Sequence, residues 1–130
     1  MNTTPPLIAV LNTDEGVLNT LANWFRTHGF RAVCANIRDL AHGHEDVAAF
    51  LERHHPSTLL VDVGTPYGPN WDFVVALRMI DETSAVPLLV TTGNKTELER
   101  AVGPTDAMEL TGTPENLVVV TAAVRALVSE

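Results

Sequence analysis

The chain has one cysteine, one lysine and few aromatic residues. A lone Cys34 allows neither an internal disulfide nor a thiolate metal site, and within an apolar run it reads as a small buried strand residue. Lysine and arginine number 8 against 16 acidic residues, giving a net charge of −8. No basic cluster is present to neutralise nucleic-acid phosphates, so a nucleic-acid face is not expected. Charged residues make up only 18% of the chain, so part of the surface is expected to be apolar or neutral. There is no GxGxxG or P-loop pattern; Gly64, Gly68 and Gly93 read as loop glycines. The opening MNTTPPLIAVLN has no basic segment, and its apolar stretch is too short for a signal peptide or a membrane span. A reducing, cytoplasmic setting is the expectation. With no linker, repeat or low-complexity segment, residues 1–130 read as a single domain, long enough to bury one core.

What the chain does have is alternation. Strands are expected at Leu7–Leu11, Arg31–Ala35, Thr58–Val63, Pro87–Thr92 and Asp106–Leu110. LIAVL and LLV are continuous apolar runs, as strands buried on both faces require. Between the strands lie five segments of helical period. Val17, Leu18, Leu21, Trp24 and Phe25 mark the first, behind a cap at Thr13 or Asp14 and ahead of a stop at Gly29. Val47, Phe50, Leu51 and His54 mark the second, and Phe73, Val74, Leu77 and Ile80 the third. Leu98, Ala101 and Val102 mark a short fourth that ends at Gly103-Pro104. The fifth opens with Thr113 as cap, Pro114 in the first helical position and Glu115, and carries the core stripe Leu117, Val120, Val124, Leu127 and Val128. The segment from Asn36 to His44 reads as an irregular excursion. The pattern predicts an α/β fold, a doubly wound (βα)5 five-stranded parallel sheet in the flavodoxin-like order 2-1-3-4-5.

Asp62 ends the run Ser57-Thr58-Leu59-Leu60-Val61-Asp62. A carboxylate at the carboxyl end of a buried strand must be partnered or used, and ligands of open α/β sheets bind along that edge. On its own such a residue also reads as a loop cap. Pro66 lies four residues on, and Thr92 closes the next apolar run five residues after Pro87.

Asp62-Val63-Gly64-Thr65-Pro66 resembles the phosphoacceptor segment of response-regulator receiver domains, with its Pro four residues after the Asp. Pro87-Leu88-Leu89-Val90-Thr91-Thr92 resembles the fourth strand of that family, and Thr92 takes the place of its switch Thr/Ser. The resemblance spans roughly residues 7 to 129. It implies a phosphoacceptor Asp62, a switch Thr92, Mg²⁺ at the pocket and a dimer or partner face built from the fourth helix, fifth strand and fifth helix. Asn70 stands where the family has a Gly four residues after the Pro, and Asn tolerates the left-handed backbone such a turn would use.

The departures from the family are specific. Asn12 and Thr13 fall on its pair of metal-holding acids, and Mg²⁺ prefers carboxylate oxygens. Asp14 and Glu15 follow directly, and either swinging in is the remaining route to a metal site with Asp62. The segment Met108–Pro114, with Thr111 near the position of the family's active-site Lys, holds no Lys or Arg. Without acidic neighbours Asp62 is expected to ionise readily and to accept hydrogen bonds from Asn12, Thr13 or Thr92.

Several features stay open at this level. Thr92 also reads as a plain β-branched strand residue. His42, His44, His54 and His55 lack a ligand pattern, and Glu45-Asp46 suits a helix start. Trp24 reads as core; Trp71 either covers the pocket mouth or packs its helix. Opposite the core stripe of the fifth helix stand Val118, Val119, Ala122, Ala123 and Ala126. That is either a contact surface, with Val119, Ala123 and Ala126 in a homodimer or a docked partner, or a short run of small residues exposing little area.

Three functions follow as expectations. The first is a protein-contact signalling module resembling a pseudo-receiver, with phosphorylation at Asp62 weakened or lost, no enzyme activity and no cofactor. The second is a working phospho-acceptor, with Mg²⁺ held by Asp62 and Asp14 or Glu15 and at most autophosphorylation and autodephosphorylation at Asp62. The third is a small-molecule-binding domain with its ligand between Asn12-Thr13, Asp62 and Thr92.

Overall fold

A computed structural model describes residues 4–38, 47–80, 86–110 and 113–128. Five parallel strands form one sheet: β1 (Leu7–Asn12), β2 (Arg31–Asn36), β3 (Thr58–Asp62), β4 (Leu88–Thr92) and β5 (Met108–Glu109). Their spatial order is β2-β1-β3-β4-β5, as the alternation predicts. The connecting helices are α1 (Glu15–Arg26), α2 (Val47–His54), α3 (Tyr67–Arg78), α4 (Lys95–Val102) and α5 (Pro114–Val128). Among the described residues no helix is long and apolar enough to cross a membrane.

The sheet divides the core in two, because successive strand side chains point to opposite faces. Ala9 and Leu11 of β1, Leu59 and Val61 of β3 and Val90 of β4 pack under Phe50, Leu51, Val74, Leu77 and Leu98 of α2, α3 and α4. Ile8, Val10 and Leu60 pack on the other face with Leu18, Leu21 and Phe25 of α1 and Val120 and Val124 of α5. Both faces being covered explains why β1 is buried along its whole length.

The helix ends follow local chemistry. Asp14, not Thr13, caps α1: its Oδ1 accepts from the Gly16 and Val17 N–H groups at 2.8 and 3.2 Å. Thr113 Oγ1 accepts from Asn116 N at 3.3 Å at the start of α5. Gly29 and Gly103, at φ of 91° and 92°, take the left-handed turns that follow α1 and α4.

Three expectations need correction. The fifth strand shrinks from Asp106–Leu110 to Met108–Glu109, since β4 pairs with it only at Thr91–Met108 and Thr92–Glu109. The third helix starts at Tyr67, well before the first periodic residue Phe73. Pro69 is tolerated there because first-turn N–H groups have no partner within the helix. Asn70 therefore lies in helical backbone rather than in a left-handed turn; its buried amide Nδ2 instead donates to the Gly64 carbonyl at 2.9 Å.

Candidate functional site

Strand register assembles the site. Asp62 pairs with Thr91 across β3 and β4, and the last β1–β3 pair, Leu11–Val61, sets Asn12 beside Asp62. All three lie at the carboxyl edge of the sheet. Leu11, Val61 and Val90 belong to the core under α2–α4, so the residues that follow each of them, Asn12, Asp62 and Thr91, turn toward α1 and α5.

The Asp62 carboxylate is held at both oxygens. Thr91 Oγ1 donates to Oδ1 at 2.7 Å and Asn12 Nδ2 donates to Oδ2 at 2.9 Å. The Asn12 amide is itself fixed, because its Oδ1 accepts the Thr13 and Asp14 N–H groups at 2.6 and 3.1 Å. Asn12 thus links the end of β1, the entry to α1 and Asp62 in one network.

Two expectations about this network are corrected. Thr92 does not meet Asp62. One residue further along the strand, it faces the opposite way, and its buried hydroxyl donates to the Val63 carbonyl at 2.7 Å. Nor does Asp62 ionise readily. Burial pushes its carboxyl above the usual range, and the hydrogen bonds from Thr91 and Asn12 only partly oppose that.

A cleft of about 510 Å³ opens above Asp62, lined by Asn12, Thr13, Asp14, Gly64, Tyr67 and Asn94 among others. One cation, Arg38, reaches its wall from the segment after β2. Arg38 was not singled out by sequence, because it belongs to no periodic element and to no family motif. Its position is set by Asn36, whose Oδ1 accepts Arg38 N at 2.8 Å. Trp71 packs its helix rather than the cleft, against the α2–α4 core and under the Arg78 guanidinium, 5.7 Å from the ring centroid. Trp24 is only half-buried, and its Nε1 donates to Thr121 Oγ1 at 2.7 Å.

These donors suit Mg²⁺ poorly. Asn12 turns an N–H group, not an oxygen, toward Asp62. Asp14 Oδ1 is engaged as the α1 cap, and Glu15 Oε2 accepts Asn36 Nδ2 at 2.8 Å. Among the described cleft residues, a hard divalent cation would meet Asp62 with no second carboxylate free of another task. Among the described residues no group of three or more His, Cys, Asp or Glu is placed to hold a metal ion. His54 instead packs on Phe50, 4.6 Å between ring centroids. His42, His44, Glu45, Asp46 and Thr111 lie outside the described residues.

At the neighbouring strand end, Glu109 Oε2 accepts the Lys95 backbone N–H at 3.3 Å. Cys34 is half-buried; its Sγ–H points to the Leu18 carbonyl at 3.5 Å, and burial pushes the thiol up. On α5, Val118 and Val119 are 59% and 55% exposed, Ala126 is exposed and Ala123 is half-buried.

No protein-family model matches this sequence, and no curated protein matches it. Solved structures do resemble it. The chemotaxis response regulator CheY4 of Vibrio cholerae is 20% identical, with 93% of this chain and 99% of that chain covered at a TM-score of 0.65. A CheY-like receiver domain from Methylobacillus flagellatus is 13% identical, covering 95% and 98% at a TM-score of 0.67. The BeF3-activated receiver domain of RstA from Klebsiella pneumoniae is 18% identical, covering 95% and 99% at a TM-score of 0.65.

The raised Asp62 carboxyl carries a sign for stability. A group whose folded-state pKa lies above its unfolded value contributes fully at low pH and loses that contribution as pH rises through the folded value. Asp62→Asn keeps both partners, since an amide accepts from Asn12 and donates to Thr91. It is expected to raise Tm by a few degrees at neutral pH and to change little below the unfolded carboxylate range, as read by thermal melts across pH. A destabilised variant at neutral pH would contradict the assignment. On these likenesses and the strand order, the chain has the fold of response-regulator receiver domains.

Proposed function

We propose that this domain is a signalling module of the pseudo-receiver kind, working by protein contact rather than by a phosphorylation cycle at Asp62. One observation carries the reading: the Asp62 carboxylate is held at each oxygen by a neutral donor, Asn12 or Thr91, with no acidic residue at positions 12 and 13 to hold a metal beside it. Phosphoryl transfer to a carboxylate depends on positioning and on neutralising the equatorial oxygens. The described pocket offers Arg38 at its wall and no lysine.

The signal would then leave through a fixed surface. The outward side of α5, with Val119, Ala123 and Ala126, is the candidate, alone or with α4 and β5, and a second copy or a partner protein would cover it. A reaction at Asp62, if it occurred, would be limited to autophosphorylation and autodephosphorylation. The alternative of a working phospho-acceptor needs Asp14 or Glu15 to leave its present hydrogen bonds.

Two measurements test this reading. Intact-mass spectrometry after incubation with acetyl phosphate and Mg²⁺ is expected to show little or no added phosphoryl group; stoichiometric labelling lost in Asp62→Asn would overturn the proposal. For the surface, Val119→Asp is expected to convert a dimer to monomer in sedimentation velocity. An unchanged profile would remove α5 as a self-association face.

A further inference from the structure

Beside the polar cleft, Asp62 lines a second cavity among the described residues. The second, of about 520 Å³, lies between α1 and α5 over the same carboxylate. Its walls are apolar: Val17 and Leu21 from α1, Leu110 beyond β5 and Leu117 from α5. Its polar lining includes the carboxyl groups of Asp14 and Asp62, and no lysine or arginine lines it. Arg38 belongs to the other cleft alone. The size falls within the range of small-molecule sites, which combine apolar walls with a few placed polar groups.

The chemistry of an occupant follows from this lining. Its body must be apolar to gain from Val17, Leu21, Leu110 and Leu117. Its polar end must be a donor, because a carboxylate offers acceptors only. Asp62 accepts two hydrogen bonds from the protein, and a carboxylate has about four lone-pair sites. Two further acceptor positions therefore remain for a ligand. A cation gains charge-assisted bonds there, and an anion is repelled by both acids.

We propose that the cavity between α1 and α5 binds an organic amine, with its ammonium on Asp62 and its apolar or aromatic body between Leu21 and Leu117. Asp14 at the rim adds long-range attraction without leaving the α1 N-terminus. An ammonium pairs with the Asp62 carboxylate as a counter-ion that none of the described lining residues supplies. This goes beyond the signalling reading and does not rest on it: a domain that takes phosphate poorly and one that takes it well both present this cavity.

The test uses tryptamine as the probe, with neutral tryptophol and anionic indole-3-propionate as isosteric controls, titrated into ¹⁵N-labelled protein. Tryptamine is expected to give saturable shifts at Val17, Leu21, Leu110 and Leu117, with tryptophol weaker and indole-3-propionate without effect. Asp62→Asn is expected to weaken tryptamine roughly tenfold, the scale of one lost charge-assisted hydrogen bond. Thr20→Trp, at an exposed lining position, is expected to abolish the shifts in a chain whose spectrum remains folded. Absence of saturation, equal binding of the three probes, or shifts confined to other surfaces would each overturn the proposal.

Discussion

The Asn12–Asp62–Thr91 contact is the interaction on which the functional face of this molecule depends. It ties the carboxyl ends of β1, β3 and β4 together, and through Asn12 Oδ1 it also fixes the turn into α1. A partly buried carboxylate is costly, and two directed donors lower that cost without removing it. At Asp62 the same contact sets one carboxylate between two neutral donors.

The two-sided sheet explains why one residue serves two cavities. Asp62 stands at the edge where the core under α2–α4 gives way to the core under α1 and α5. Toward α3 the opening is polar and includes Arg38; toward α5 it is lined by leucines and carboxylates. The polar lining comes mainly from strand ends and the loops after them, such as Asn12, Thr13, Thr65 and Asn94, and the apolar lining from Leu21 of α1, Leu110 and Leu117 of α5.

Most of the architecture is legible in the sequence, because parallel strands buried on both faces leave unbroken apolar runs and helices leave a 3.6-residue period. LIAVL became β1, an interior strand of the sheet, and Thr113-Pro114-Glu115 opened α5. Some of the misses depend on neighbours distant in the chain and others on local contacts that carry no periodic signal. Of the donors to Asp62 expected at Asn12, Thr13 or Thr92, Asn12 is the one that bonds it, and the β3–β4 register adds Thr91 rather than Thr92. Comparison with a family Gly suggested special backbone at Asn70, whereas the side chain there closes the β3–α3 loop. Loss of repulsion predicted an easily ionised Asp62, but burial outweighs it. Arg38 carried no periodic or motif signal at all. Val119, Ala123 and Ala126 could be placed on a helix face by period, but what covers them is not written in one chain's sequence.

The central claim is that neutral hydrogen bonds have replaced a metal-dependent switch at Asp62. The most direct measurement is the ¹⁵N–¹H NMR spectrum with and without Mg²⁺ and beryllofluoride, which mimics a phosphoryl group on a carboxylate. The account predicts that amide signals around Asp62, Thr91, Thr92 and α5 stay in place at millimolar ligand. Concerted shifts running from Asp62 to α5 would contradict it and would mean that a live switch operates with an unorthodox pocket.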